Sequence, residues 1–172
     1  EFEENFLIYT GTDFAKGVGN ATQGLHLALA SLDIGVGDEV IVTPYTFIAS
    51  ASSILMQNAV PVFCDCDPHT RALSAEKIAA HISDRTRAIV VVHMFGYPAD
   101  MDPILELAQK HGLCVIEDAS HALGAYYDGN PIGQNKYSDA SVFSFHPVKM
   151  ITTGEGGAIL TNNEKSEISL SI

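Results

Sequence analysis

The chain has 172 residues, 47% of them hydrophobic, and a net charge of −12 from 9 basic and 21 acidic side chains. That is enough apolar chain for one domain with a real core, and it excludes a disordered or low-complexity protein. The acidic field repels phosphate backbones and argues against nucleic acid as a partner, and no apolar run approaches the roughly 20 residues a membrane helix needs.

Taken in chain order, Phe2 and Phe6 lie four apart and predict a short amphipathic helix that stops at Gly11. The acidic start, Glu1 to Asn5, is unlike the basic and apolar regions of a signal peptide. Residues 14–18 read as a strand. The apolar spacing of Leu25, Ala28, Leu29 and Leu32 predicts a helix that starts near Thr22 and ends before Gly35. A buried strand follows over 39–43, then a helix of small residues to about 56 and a strand over 60–64. A helix over 75–82 has Ser74 as its cap. Residues 88–93 form a near-continuous apolar strand, and a helix over 101–110 is stopped by Gly112. The next strand covers 113–117 and ends at Asp118. The Asp128-Gly129 pair signals a hairpin, and the last strands cover 140–145 and 158–161.

Seven strands that mostly alternate with helices, and that read as apolar runs rather than alternating ones, predict an α/β domain. Its sheet is seven-stranded and mostly parallel, with helices on both faces. No helix separates the last two strands, so the final one is expected to be antiparallel. Residues 1–163 are expected to form this domain, and residues 164–172 a truncated tail. Cys64, Cys66 and Cys114 are odd in number and lie in strand-like segments, with Cys64 and Cys66 expected on one strand face. They read as buried thiols of a reducing cytoplasm, and neither they nor the scattered histidines have metal-ligand spacing.

Ligands of open α/β sheets sit beyond the carboxyl ends of the strands. The first strand runs into Gly17-Val18-Gly19-Asn20-Ala21-Thr22, where small residues and a helix N-terminus make an anion seat. Thr22 either adds a hydroxyl to that seat or merely caps the helix. The spacing lacks the third glycine of a dinucleotide fingerprint, which argues against a nucleotide-binding Rossmann domain. The second strand ends near Phe47, which either stacks on a flat ring or packs the helix start. The fifth ends at Asp118, a carboxylate that needs a partner if buried, with His121 close behind. The sixth ends at Ser144. Beyond it Lys149 lies in an irregular loop, Phe145-His146-Pro147-Val148-Lys149, that turns through Gly154-Glu155-Gly156-Gly157. A desolvated lysine amine can lose its proton and attack a carbonyl. Gathered at one sheet edge, these residues point to pyridoxal phosphate (PLP). Lys149 would hold it, Asp118 would face its pyridine nitrogen, and Thr22 and Ser144 would meet its phosphate.

The same stretches resemble the sugar aminotransferases of the DegT/DnrJ/EryC1/StrS family, which are fold-type I PLP enzymes. The resemblance runs through 17–29, 37–50, 92–102, 115–121, 143–149 and 154–157. It implies Lys149 as the Schiff-base lysine and Asp118 as the pyridine-nitrogen partner, these two being catalytic. It implies Phe47 as the stacking aromatic and Thr22, with the backbone of Ala21 and Gln23, as the phosphate loop. Ser144 would be a second phosphate hydroxyl, and His121 the residue beside the ring oxygen. The implied activity moves an amino group, with glutamate as the expected donor, to a nucleotide-linked keto sugar. A UDP- or dTDP-4-keto-6-deoxyhexose for polysaccharide or glycoconjugate synthesis is the expected class. Relatives with histidine in place of the lysine carry out dehydration, so sugar dehydration or a non-catalytic, regulatory role on the same fold are the alternatives. The resemblance further implies a cytoplasmic homodimer, and a C-terminal small domain that this chain lacks.

Overall fold

The computed structural model describes residues 1–164; the expected tail beyond Glu164 lies outside the described residues. Helices α1 (Phe2–Thr10), α2 (Ala21–Ser31), α3 (Ala49–Met56), α4 (Ala75–Ala79) and α5 (Met101–His111) alternate with strands. The strands are β1 (Phe14–Val18), β2 (Glu39–Val42), β3 (Val60–Phe63), β4 (Thr86–Val92), β5 (Cys114–Asp118), β6 (Tyr126–Tyr127), β7 (Asn130–Pro131), β8 (Ala140–Ser144) and β9 (Gly157–Thr161). Seven form one sheet in the order β1-β9-β8-β5-β4-β2-β3. Only β9 runs antiparallel to its neighbours, β1 and β8, as expected of two strands joined without a helix. The other two make the Asp128-Gly129 hairpin, where both turn residues have positive φ, 47° and 73°, as a type I′ turn requires.

Successive side chains of a strand face opposite sides of the sheet, and both sides are covered. Val40, Val42, Val90, Ile116 and Val142 pack under α2 and α3 with Leu25, Leu29 and Ile54. Ile41, Ile89, Val91 and Val115 pack on the other side against Ile78 of α4 and Met101 and Ile104 of α5. Pro61 lies in β3, which pairs only with β2 and is the sheet edge, where a missing N–H costs no ladder bond.

A third cluster anchors the loop after β8. Phe145 is buried, and its ring meets Phe2 and Phe6 of α1 edge-on at centroid distances of 5.6 and 5.9 Å. Its N–H donates to Gly156 O at 2.9 Å, and its carbonyl accepts from Thr153 N–H at 3.0 Å and from the Thr152 hydroxyl at 2.9 Å. The loop over 146–155 is therefore tied at its base to a buried aromatic of this layer.

Three sequence expectations change in detail. Helix α2 starts at Ala21, one residue earlier than the apolar spacing indicates, because Asn20 is its cap and accepts from Gln23 N–H at 3.0 Å. Helix α4 stops at Ala79 rather than 82. Cys64 and Cys66 lie beyond the end of β3 and share no strand face; Cys64 is buried there, and burial pushes its thiol up.

Gly157 is held to glycine by close approach. A Cβ there would lie 2.8 Å from Phe143 O and 2.9 Å from both Ala21 N and Asn20 C, all backbone atoms with no side chain to swing away. Gly157→Ala is expected to destabilise the fold by about 1–3 kcal/mol, the usual range for overpacking. Thermal denaturation should show it as a fall of a few degrees in Tm, about 2–4 °C per kcal/mol for a domain of this size.

Candidate active site

A cavity of about 590 Å³ opens at the carboxyl ends of the parallel strands. That volume lies within the range of small-molecule sites. Ala21, Thr22, Phe47, Asp118, His121, Ser144 and Lys149, drawn from four separate stretches, all line it. Gln23 does not, and its N–H is engaged by the Asn20 cap while its side chain accepts from Gly19 N–H at 3.0 Å.

The floor is Asp118, the last residue of β5, which is 6% exposed. Burial of a carboxylate demands partners. Its Oδ2 accepts from the Ser50 hydroxyl at 2.7 Å and its Oδ1 from Ser120 N–H at 3.2 Å. Glu117, its neighbour on the strand, faces the opposite side of the sheet. There it accepts from the ring Nε2–H of buried His93 at 2.7 Å and from the Ser138 hydroxyl. The His93 tautomer follows from Ala99 N–H donating to its Nδ1 at 3.1 Å.

One wall is the N-terminus of α2. The cap accounts for the Gln23 N–H, and Gly24 N–H already bonds the Asn20 carbonyl. The N–H groups of Ala21 and Thr22 are then the orphan donors of the first turn, at the positive end of the helix dipole. Thr22 is not the cap, so its hydroxyl is free of that task. Phe47 is 70% exposed, so ordinary packing of a helix start does not account for it.

The opposite wall carries Lys149. His146, Pro147, Val148 and Lys149 form a turn closed by Lys149 N–H donating to His146 O at 2.9 Å, with Pro147 at the position its fixed φ suits. The Lys149 side chain is half-buried. Burial lowers its pKa below the ordinary lysine value, and the Asp118 charge only partly opposes the shift.

His121 stacks on the Phe95 ring at a centroid distance of 6.2 Å and an interplanar angle of 11°. Burial, with a smaller push from Lys149, lowers its pKa against the pull of Asp118. Its Nδ1 accepts from Phe95 N–H at 3.3 Å, so the neutral ring carries its proton on Nε2. A ¹⁵N long-range correlation spectrum near pH 6.5 should therefore show His121 mainly neutral, with Nε2 protonated in the neutral form. A cationic ring, or a proton on Nδ1, would refute the assignment.

Sequence reasoning did not single out Ser50, Thr46, Asn20, His146 or Glu155, all of which border the cavity or bond a residue that does. A signal for the first two existed: Thr46 and Ser50 are one helical turn apart, immediately after a buried strand.

Comparison with known proteins gives one pattern. A profile described as the DegT/DnrJ/EryC1/StrS aminotransferase family matches residues 1–170. The chain is 51% identical over 164 residues to GDP-perosamine synthase of Caulobacter vibrioides, covering 95% of this chain and 44% of that one. The crystal structure of an aminotransferase from Psychrobacter cryohalolentis superposes with a TM-score of 0.96 at 46% identity, over 99% of this chain and 43% of its own. NtdA from Bacillus subtilis, solved with bound cofactor PMP, superposes with a TM-score of 0.91 at 31% identity, over 98% and 38%. The chain thus spans less than half the length of these relatives.

Proposed function

The chain belongs to the DegT/DnrJ/EryC1/StrS aminotransferase family, and from that premise we propose that it is the cofactor-binding part of a PLP-dependent sugar aminotransferase. The observation that carries the reading is that Lys149 and Asp118 line one cavity together with the orphan N–H donors of α2. PLP suits each wall of that cavity. Its dianionic phosphate matches the Ala21 and Thr22 N–H groups and the Thr22 and Ser144 hydroxyls, in a protein with a net charge of −12. A protonated pyridine nitrogen matches buried Asp118, which has hydrogen bonds but no cation within ion-pair distance among the described residues.

When bound, PLP supplies an electron sink for charge developing at the substrate carbon. The protein does the rest. Lys149, lowered toward its neutral form by burial, offers an amine that can attack a carbonyl and then move a proton at the substrate carbon. Asp118 would accept from the ring nitrogen. Neutral His121 would offer Nε2–H to the ring oxygen. Phe47 would cover one ring face and exclude water there.

The amino donor is an amino acid, with glutamate the expected one, and the acceptor a nucleotide-linked 4-keto-6-deoxyhexose carried on UDP or dTDP. The product would serve polysaccharide or glycoconjugate synthesis. The full-length protein works as a cytoplasmic homodimer. Support for a partner is an exposed apolar rim beside the cavity that includes Phe47, Ile48, Phe95, Tyr97, Val148 and Met150. Support for the compartment is three free thiols. The test is amino transfer by the full-length protein from glutamate to UDP-, dTDP- and GDP-linked 4-keto sugars. Transfer to a UDP or dTDP sugar supports the reading, GDP sugars alone would move the nucleotide assignment, and dehydration without transfer would overturn the activity.

A further inference from the structure

Asp118 is held by a chain of hydroxyls that has only one consistent proton direction. Ser50, in the first turn of α3, is fully buried, and its Oγ lies 2.7 Å from Asp118 Oδ2 and 2.8 Å from Thr46 Oγ1. Either hydroxyl could donate in the second contact when it is viewed alone. An ionised carboxylate has no proton to give, so Ser50 must direct its single proton to Asp118. The contact with Thr46 is then closed by the Thr46 proton. Donation runs one way, Thr46 to Ser50 to Asp118, and Thr46, which lines the cavity, turns lone pairs and no proton toward its contents.

A helical serine ordinarily satisfies its hydroxyl on the carbonyl one turn back. Ser50 instead reaches Asp118, 68 positions away, across the top of the sheet. Hydrogen bonds in series strengthen one another in a dry environment, and those to a charged acceptor are the strong ones. Ser120 N–H takes the other carboxylate oxygen, so the two donors set the plane of the carboxylate.

We propose that Ser50 and Thr46 are positioning residues, a hydroxyl relay that keeps the Asp118 carboxylate aimed at the nitrogen of the bound ring. The proposal rests on the reading of this cavity as a PLP site. Ser50 does not line the cavity, so its effect reaches the ring only through the groups it bonds, Asp118 and Thr46.

The experiment compares wild-type full-length protein with Ser50→Ala, Thr46→Val and Thr46→Ser. PLP affinity is measured by titration of visible absorption, together with the pH midpoint of that absorption. Ser50→Ala is expected to weaken PLP binding about tenfold, the effect of removing one donor from a buried charged acceptor. It should also shift the spectroscopic pH midpoint, which a merely structural hydroxyl would not do. Thr46→Val keeps the shape, loses the first proton of the relay, and should weaken binding about threefold. Thr46→Ser should restore wild-type affinity and midpoint. If wild type takes up PLP and Ser50→Ala matches it in both readouts, the relay is wrong while the cofactor reading stands. If wild type takes up no PLP, both fall. If Ser50→Ala does not fold, the valine and serine variants at position 46 decide: equal affinity and midpoint in the two would overturn the relay.

Discussion

Lys149→Ala in the full-length protein is expected to lower amino transfer by at least about 10³-fold, because it removes both the carbonyl-attacking amine and the group that moves the proton. In transition-state terms that is about 4 kcal/mol. No other lysine among the described residues lines the cavity to take over. Borohydride reduction of wild type supplied with PLP, followed by mass spectrometry, should place a pyridoxyl adduct on Lys149 and on no other lysine. The pH dependence has a definite sign. Only the neutral amine reacts, and burial lowers the Lys149 pKa from the ordinary 10.5. PLP uptake should therefore quicken with rising pH and level off earlier than it would for a surface lysine. An adduct elsewhere, or transfer that survives the substitution, would remove the basis of the assignment.

Asp118→Asn is expected to cost about 10²- to 10³-fold in transfer, the range for losing one preorganised electrostatic partner. Shape is conserved, the amide oxygen can still accept from Ser120 N–H, and the amide NH2 can donate to a Ser50 hydroxyl turned to accept it, so the fold should hold. What disappears is the charge that keeps the ring nitrogen protonated. The measurement is kcat and KM for both substrates with PLP saturating. A fall in kcat at little-changed KM is the expected pattern, since the interaction grows as charge develops. Unchanged kcat would mean that Asp118 only braces the β5 end through its two hydrogen bonds.

Both expectations depend on residues read from the chain before any fold was in view, and the reason is physical. Strand ends in an α/β sheet are marked locally. Mostly apolar strands of four to seven residues end at a polar residue, as β5 ends at Asp118 and β8 at Ser144. The rule that ligands lie beyond those ends then singles out the residues that follow. The hairpin was legible in the same way, since Asp128-Gly129 tolerates the positive φ that the turn demands.

Other features had no local mark. The cap of α2 lies at Asn20 rather than Thr22 because the backbone turns into the helix one residue before the apolar spacing begins, and a side-chain bond decides it. The withdrawal of Gln23 N–H from the cavity follows from that same bond. Cys64 and Cys66 read as a strand pair, yet β3 ends at Phe63, where its partner β2 also ends.

The sequence alone therefore determined the alternation of elements, the single antiparallel strand, and the residue types at each strand end, because these depend on periodicity and on contacts a few positions apart. Only the tertiary structure decided that Ser50 bonds Asp118, that Phe95 sets the proton position on His121, and that Phe2 and Phe6 anchor the lysine loop through Phe145. Those contacts join residues that the sheet order brings together, and sheet order is set by which apolar faces pack best across the whole domain rather than by any one stretch of chain.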